Sequence, residues 1–174
     1  MINFFFRIVI TIVTVNFLFL SSAYSEIVNK IEIYGNDRIS NETIIMFSSI
    51  SINDDANKDK INDILKQLYE TRFFSDINIK LENNILKIYL KENPIIENII
   101  YDGVKAQKIR DPITKDLKLR NRSSYNEIDL NYDKEKIIST LKDLGYYFSN
   151  VDVYVNNLED NKVNVRFDIT LGKK

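Results

Sequence analysis

The sequence predicts an α+β chain made of two tandem β-α-α-β-β modules, each a three-stranded sheet packed against two helices. Three observations predict it. Short runs alternate apolar and polar residues with the period of a strand, stretches between them carry apolar residues at helical spacing, and the same order of elements recurs in the second half.

The first strand is read over Val28–Tyr34, where Ile31 and Ile33 alternate with Lys30, Glu32 and Tyr34. After Gly35-Asn36-Asp37, Ser40 can cap a helix over Asn41–Ser49, with Glu42 placed near its positive end. Asn57 can cap a second helix, Lys58–Thr71, whose Ile61, Ile64, Leu65 and Leu68 form one apolar face. Ile77, Ile79 and Leu81 then alternate with polar residues, as do Leu86, Ile88 and Leu90. Glu82-Asn83-Asn84 between the two runs suits a hairpin turn.

The order then repeats. Ile31-Glu32-Ile33-Tyr34-Gly35 matches Ile99-Ile100-Tyr101-Asp102-Gly103, and Leu65-Lys66-Gln67-Leu68 matches Leu141-Lys142-Asp143-Leu144. Phe74-Ser75-Asp76-Ile77-Asn78-Ile79 matches Phe148-Ser149-Asn150-Val151-Asp152-Val153. The offsets of 68, 76 and 74 drift as loops of unequal length require in a tandem duplication. Val163, Val165, Phe167 and Ile169 alternate in the last strand. Pro112 fits the start of the helix after Gly103, although Lys115–Arg122 is polar and weakly periodic. The boundary falls near Glu92-Asn93-Pro94, which divides the chain into residues 26–92 and 93–174 and predicts a short, stiff join.

The first 25 residues are of another kind. Met1–Arg7 has one positive charge, Ile8–Leu20 is apolar apart from Thr and Asn, and Ser21-Ser22-Ala23-Tyr24-Ser25 offers small residues for a cut between Ser25 and Glu26. That is the pattern of a secretory signal peptide, and the apolar run is shorter than the roughly 20 residues of a spanning helix. Export from the cytoplasm is expected.

Composition excludes several kinds of chemistry. The chain has no cysteine and no histidine, so disulfides and every Cys- or His-dependent catalytic or metal site are ruled out. Of 24 Lys and Arg only Arg7 lies in the leader, leaving 23 against 25 acids, so no basic footprint for nucleic acid exists. Four singly spaced glycines build no phosphate-cradling loop, and no histidine activates Ser21-Ser22 or Ser123-Ser124. Asp54-Asp55 lacks the ligand spacing of a calcium loop and reads as a solvated turn. Neither an enzyme nor a cofactor is expected.

Ile31-Glu32-Ile33-Tyr34-Gly35-Asn36-Asp37-Arg38-Ile39-Ser40 resembles the opening of the first POTRA domain in the BamA outer-membrane protein assembly factor family. Leu68-Tyr69-Glu70-Thr71-Arg72-Phe73-Phe74-Ser75-Asp76-Ile77 is similar to that domain's junction between second helix and second strand. Lys91-Glu92-Asn93-Pro94-Ile95-Ile96 resembles the family's join between first and second POTRA domains, and Leu144-Gly145-Tyr146-Tyr147 its second helix end. The resemblance covers residues 27–172. The POTRA fold it implies is a mixed sheet with the third strand central and the second at an edge. The chain is then expected to be the front portion of a longer protein with further POTRA domains and a membrane barrel, neither of which it contains, with a stand-alone two-domain protein as the alternative.

An edge strand carries unpaired backbone N–H and C=O groups that an extended client can pair with. The candidate edges are Ser75–Leu81 (Ser75, Ile77, Asn78, Ile79 and Leu81) and Ser149–Val155 (Ser149, Val151, Asp152, Val153 and Val155). Tyr69, Phe73 and Phe74 are read as a helix-to-strand core cluster, with a client groove as the alternative. The expected partners are unfolded outer-membrane protein precursors, assembly-machine lipoproteins, periplasmic chaperones and, through the absent barrel, the outer membrane. The expected location is the periplasm. A two-partner secretion component with POTRA domains is the alternative reading.

Overall fold

A computed structural model describes residues 27–173; the signal peptide and the Ser25–Glu26 cut lie outside the described residues. The first module runs β1 (Lys30–Tyr34), α1 (Asn41–Ser48), α2 (Lys58–Glu70), β2 (Phe74–Glu82) and β3 (Ile85–Glu92). The second runs β4 (Ile95–Asp102), α3 (Gln107–Thr114), α4 (Glu127–Asp143), β5 (Asn150–Leu158) and β6 (Lys162–Thr170). The two sheets have the orders β1-β3-β2 and β4-β6-β5. In each, the last strand lies centrally, parallel to the first and antiparallel to its hairpin partner. The architecture is the expected α+β arrangement with mixed sheets.

Local chemistry starts the helices where the sequence places them. The Ser40 side chain accepts the Thr43 N–H at 3.3 Å and the Asn57 side chain accepts the Lys60 N–H at 2.9 Å. Ile64 and Leu68 of α2 are fully buried against Leu86, Ile88 and Leu90 of β3, and a second, separate core gathers Ile137, Leu141, Val165, Phe167 and Ile169. The hairpin between β2 and β3 turns through Asn83 and Asn84, both at positive φ, which matches the right-handed twist of the flanking strands.

Gly35 and Gly103 hold the same place in the two modules. A Cβ on Gly35 would lie 2.1 Å from the Leu90 carbonyl oxygen, and one on Gly103 would lie 1.8 Å from that of Ile169. Both have φ near +85° (83° and 88°), so no other residue fits where the first strand leaves the sheet.

Three expectations need correction. The first strand begins at Lys30, not Val28: Val28 is fully buried, but its N–H donates to Asp54 O (2.9 Å) and its C=O accepts the Asn53 N–H (2.7 Å), a loop contact rather than a place in the sheet. The helix after Gly103 does not start at Pro112. It runs from Gln107 to Thr114 with Pro112 inside, and residues 115–122 form a loop that inserts Leu117 and Leu119 into the core. So short a helix loses one internal bond to the proline, while Ile109 and Ile113 still bury its apolar face. The helical match also slips by one turn. Ile64 and Leu68 correspond to Ile137 and Leu141, each pair buried, and the left-handed residues that end the two helices are Arg72 and Gly145. That offset is 73. A Leu-x-x-Leu pattern recurs at each turn and does not define its own register.

The join is two residues long, between Glu92 and Ile95. Asn93 is buried and fully engaged: its N–H goes to Phe73 O (2.7 Å), its side-chain amide to Arg72 O (2.8 Å), and its C=O accepts from Arg38 Nη2 (2.6 Å). One device recurs at the entry to each sheet. The Asn84 carbonyl accepts the Asn29 N–H (2.8 Å) and its side chain donates to Ile27 O (2.8 Å). Asn161 likewise accepts the Ile95 N–H (2.9 Å) and donates to Glu92 O (3.2 Å). The hairpin of the second module thereby grips the end of the first.

Candidate functional site

β2 and β5 are edge strands of their sheets, as the resemblance implies. Along each, alternate residues enter the core. Ile77 is buried in the first module and Val151 in the second, each opposite a buried residue of the central strand, Leu90 and Ile169 respectively. Asn78 and Asp152 are exposed on the outer face, Ile79, Leu81 and Val153 are half-buried, and Val155 is 37% exposed. Ser149 lies before β5, which starts at Asn150 and continues to Leu158. The second edge is therefore longer than the sequence reading made it. Asn156, Asn157 and Leu158 also belong to it.

The two edges differ in how open they are. The Ile77 N–H, which does not enter the ladder to β3, donates to the Tyr69 hydroxyl of α2 at 3.2 Å. β2 also carries an irregularity between Phe74 and Asp76, where Ser75 turns its hydroxyl onto Lys91 O (3.2 Å). In the second module the place of Tyr69 is taken by Lys142, given the offset of 73, and the pairing of β5 with β6 runs without a break from Asn150 to Leu158.

Tyr69, Phe73 and Phe74 divide. Phe74 is a core residue at 3% exposure, Phe73 packs between Phe47 and Phe74, and Tyr69 stands half in solvent with its hydroxyl on the edge. A cleft of about 590 Å³ lies between the modules, bordered by Tyr69 and Ser75 on one side and by Tyr125, Ile128 and Asn157 on the other. One end of each edge strand opens onto it.

A buried carboxylate fixes the join. Glu92 accepts the N–H groups of Asp37, Arg38 and Ile39 on one oxygen, each at 3.0 Å, and Arg38 Nε lies 2.8 Å from the other. Burial pushes this carboxyl up, but the three N–H groups and the Arg38 charge outweigh it and hold it below its ordinary value of 4.5. Asp133 on α4 is the second fully buried carboxylate and accepts from Lys118 N (2.7 Å) and Leu119 N (2.8 Å). Burial dominates there, and its carboxyl is raised above the ordinary 3.8. Both tie loops to the fold. Among the described residues no group of three His, Cys, Asp or Glu could hold a metal ion, and Asp54 pairs with Lys60 at 3.4 Å.

Two mixed three-stranded sheets in tandem, each with two helices and an open second strand, define the POTRA class of module. The POTRA family model, described as a surface antigen variable number repeat, matches residues 94–172. The outer membrane protein assembly factor BamA of Neorickettsia risticii is 36% identical over 89 residues, which are 51% of this chain and 12% of that protein. BamA of Neisseria meningitidis serogroup B is 26% identical over 153 residues, 84% of this chain and 19% of that protein. The chain thus spans less than a fifth of the length of these relatives. In fold it is similar to the amino-terminal domain of Omp85 from the cyanobacterium Thermosynechococcus elongatus, with TM-score 0.55, 14% identity, and 81% and 61% of the two chains covered. POTRA domains 1 and 2 of Omp85 from Anabaena match with TM-score 0.52, 15% identity, and 81% and 93% covered. Residues 94–172 thus match the POTRA family model, and the chain is similar over most of its length to BamA and, in fold, to the POTRA regions of Omp85 proteins.

Proposed function

We propose that this chain is a periplasmic, non-catalytic scaffold that captures unfolded outer-membrane protein precursors by strand addition and passes them towards insertion. Residues 1–25 are its export signal, and residues 26–92 and 93–174 its two binding domains. The observation that carries the reading is the pair of edge strands, β2 and β5, in a chain whose curated relatives are named outer membrane protein assembly factors. Main-chain pairing suits such a task. It gives affinity through backbone N–H and C=O groups and asks little of client sequence, so one edge can serve many clients. The remaining part of the assembly machine, lipoproteins, chaperones and a membrane barrel, is met through other surfaces.

The test is titration of the chain with a synthetic peptide that copies one strand of an outer-membrane barrel, followed by amide exchange. Protection within Ile77–Ile79 or Val151–Val153 is expected. A peptide that binds without protecting either stretch, or does not bind, contradicts strand addition.

A further inference from the structure

The two edges are not equivalent, and the difference decides where a client strand goes. In a strand, alternate residues point their N–H and C=O groups to the same side. The Ile77 N–H points away from β3, so those of Ile79 and Leu81 do as well, and by the register of the repeat so do those of Val151, Val153, Val155 and Asn157. On β2 the first of these donors is already taken by Tyr69. The outer face of β2 presents Asp76, Asn78, Lys80 and Glu82, a charged edge of the kind that turns other strands away. On β5 the corresponding residues are Asn150, Asp152, Tyr154 and Asn156, with Leu158 beyond them. Tyr154 is 53% exposed, and Val155 and Leu158 are each 37% exposed.

We infer that β5 is the acceptor edge and that it selects an extended segment with a basic residue facing Asp152, an aromatic or aliphatic residue facing Tyr154, and apolar residues facing Val153 and Val155. This rests on the strand-addition reading proposed above. The cation requirement comes from one row of the sheet, in which Asp102, Asp168 and Asp152 stand side by side across β4, β6 and β5. Arg166 pairs with Asp168 at 3.1 Å, while Asp152, outermost in the row and beside the place of the incoming strand, accepts only the neutral Asn150 amide at 2.8 Å and has no cation of its own among the described residues. A like charge directly opposite it is unfavourable and an opposite charge favourable. The aromatic requirement comes from the next outer-face row, Ile100, Arg166 and Tyr154, where the guanidinium lies 5.1 Å from the Tyr154 ring centroid and backs the ring. In the first module the row equivalent to the aspartates is Tyr34, Tyr89 and Asn78, which offers no such charge.

The experiment uses the whole chain and three peptides of one length. The first places Lys and Phe two residues apart to meet Asp152 and Tyr154 and Leu four residues further along to meet Leu158, the second replaces Lys by Glu, and the third scrambles the order of the first. Amide protection over Val153–Leu158 with the first peptide is expected, and binding about tenfold weaker with the other two. The variant Tyr154→Thr, which removes the ring without setting a second cation opposite Arg166, should weaken the first peptide by a similar factor. The change Lys80→Tyr combined with Tyr69→Phe should create protection on β2. Protection at Ile77–Leu81 of the unaltered chain in place of β5 overturns the choice of edge and leaves strand addition standing. Protection at neither edge removes strand addition itself. Equal binding of the Lys and Glu peptides overturns the Asp152 selectivity.

Discussion

The Tyr69 hydroxyl caps the backbone N–H of Ile77, so the edge of the first sheet is partly closed by a residue of its own second helix. Tyr69→Phe removes the cap and nothing else. The Ile77 amide should exchange faster, and the first module should lose about 1 kcal/mol, the usual net worth of one hydrogen bond. Residue-resolved hydrogen exchange measures the first and denaturant unfolding the second.

Glu92 links the end of β3 to the loop before α1, and its charge is what the three N–H groups and Arg38 recognise. Glu92→Gln should cost about 2 kcal/mol, because a neutral amide accepts these bonds less strongly and Arg38 loses its partner. A carboxyl held below its ordinary value stabilises the fold fully above that value and ceases to do so as pH falls through the lowered one. The first module should therefore weaken below pH 4.5 in the native chain, and Glu92→Gln should flatten that limb of a melting-against-pH curve.

Asp133 works with the opposite sign. Its folded value is raised, so the folded state binds the proton more readily than the unfolded chain, and stability lost at neutral pH returns as pH falls through the raised value towards 3.8. Asp133→Asn keeps one acceptor but sets an amide donor against the other N–H of Lys118 or Leu119. A loss of about 1–3 kcal/mol in the second module is expected, together with loss of the acid-side gain. Amide exchange followed in each module across the acid range separates the two effects.

The aspartate row costs stability in the free protein. Asp152→Thr removes one of two directly opposed carboxylate pairs in the second sheet. The melting temperature should rise by roughly 2 °C at low salt, since opposed like charges are worth a few tenths of a kcal/mol, and the rise should shrink as salt is added. The same variant should bind the Lys-bearing peptide less well, so stability and capture move in opposite directions.

Much of this fold is legible because it is written in local chemistry. Ser40 and Asn57 cap the helices they precede, Gly35 and Gly103 stand where only glycine fits, and period-two alternation marks each strand. The readings that failed rested on local signals alone. Pro112 favours a helix start locally and sits in the interior only because Ile109 and Ile113 bury the face it shares, and Leu65-Lys66-Gln67-Leu68 looks the same one turn along. The site was legible in its strands but not in their inequality. Tyr69 meets Ile77 and Glu92 meets residues 37–39 only because sheet and helix bring together positions that no spacing rule connects. Asn161 gripping Glu92 across the join is of the same kind.

Capture through the main chain is tested most directly by blocking the client's own backbone donors. Two versions of the Lys-, Phe- and Leu-bearing peptide, N-methylated at one or the other alternate set of residues, keep every side chain and differ only in which N–H groups remain. If β5 takes the client as a fourth strand, methylating the set that faces it should weaken binding at least about tenfold, and methylating the other set should leave affinity unchanged. Equal affinity of the two methylated peptides would contradict the account.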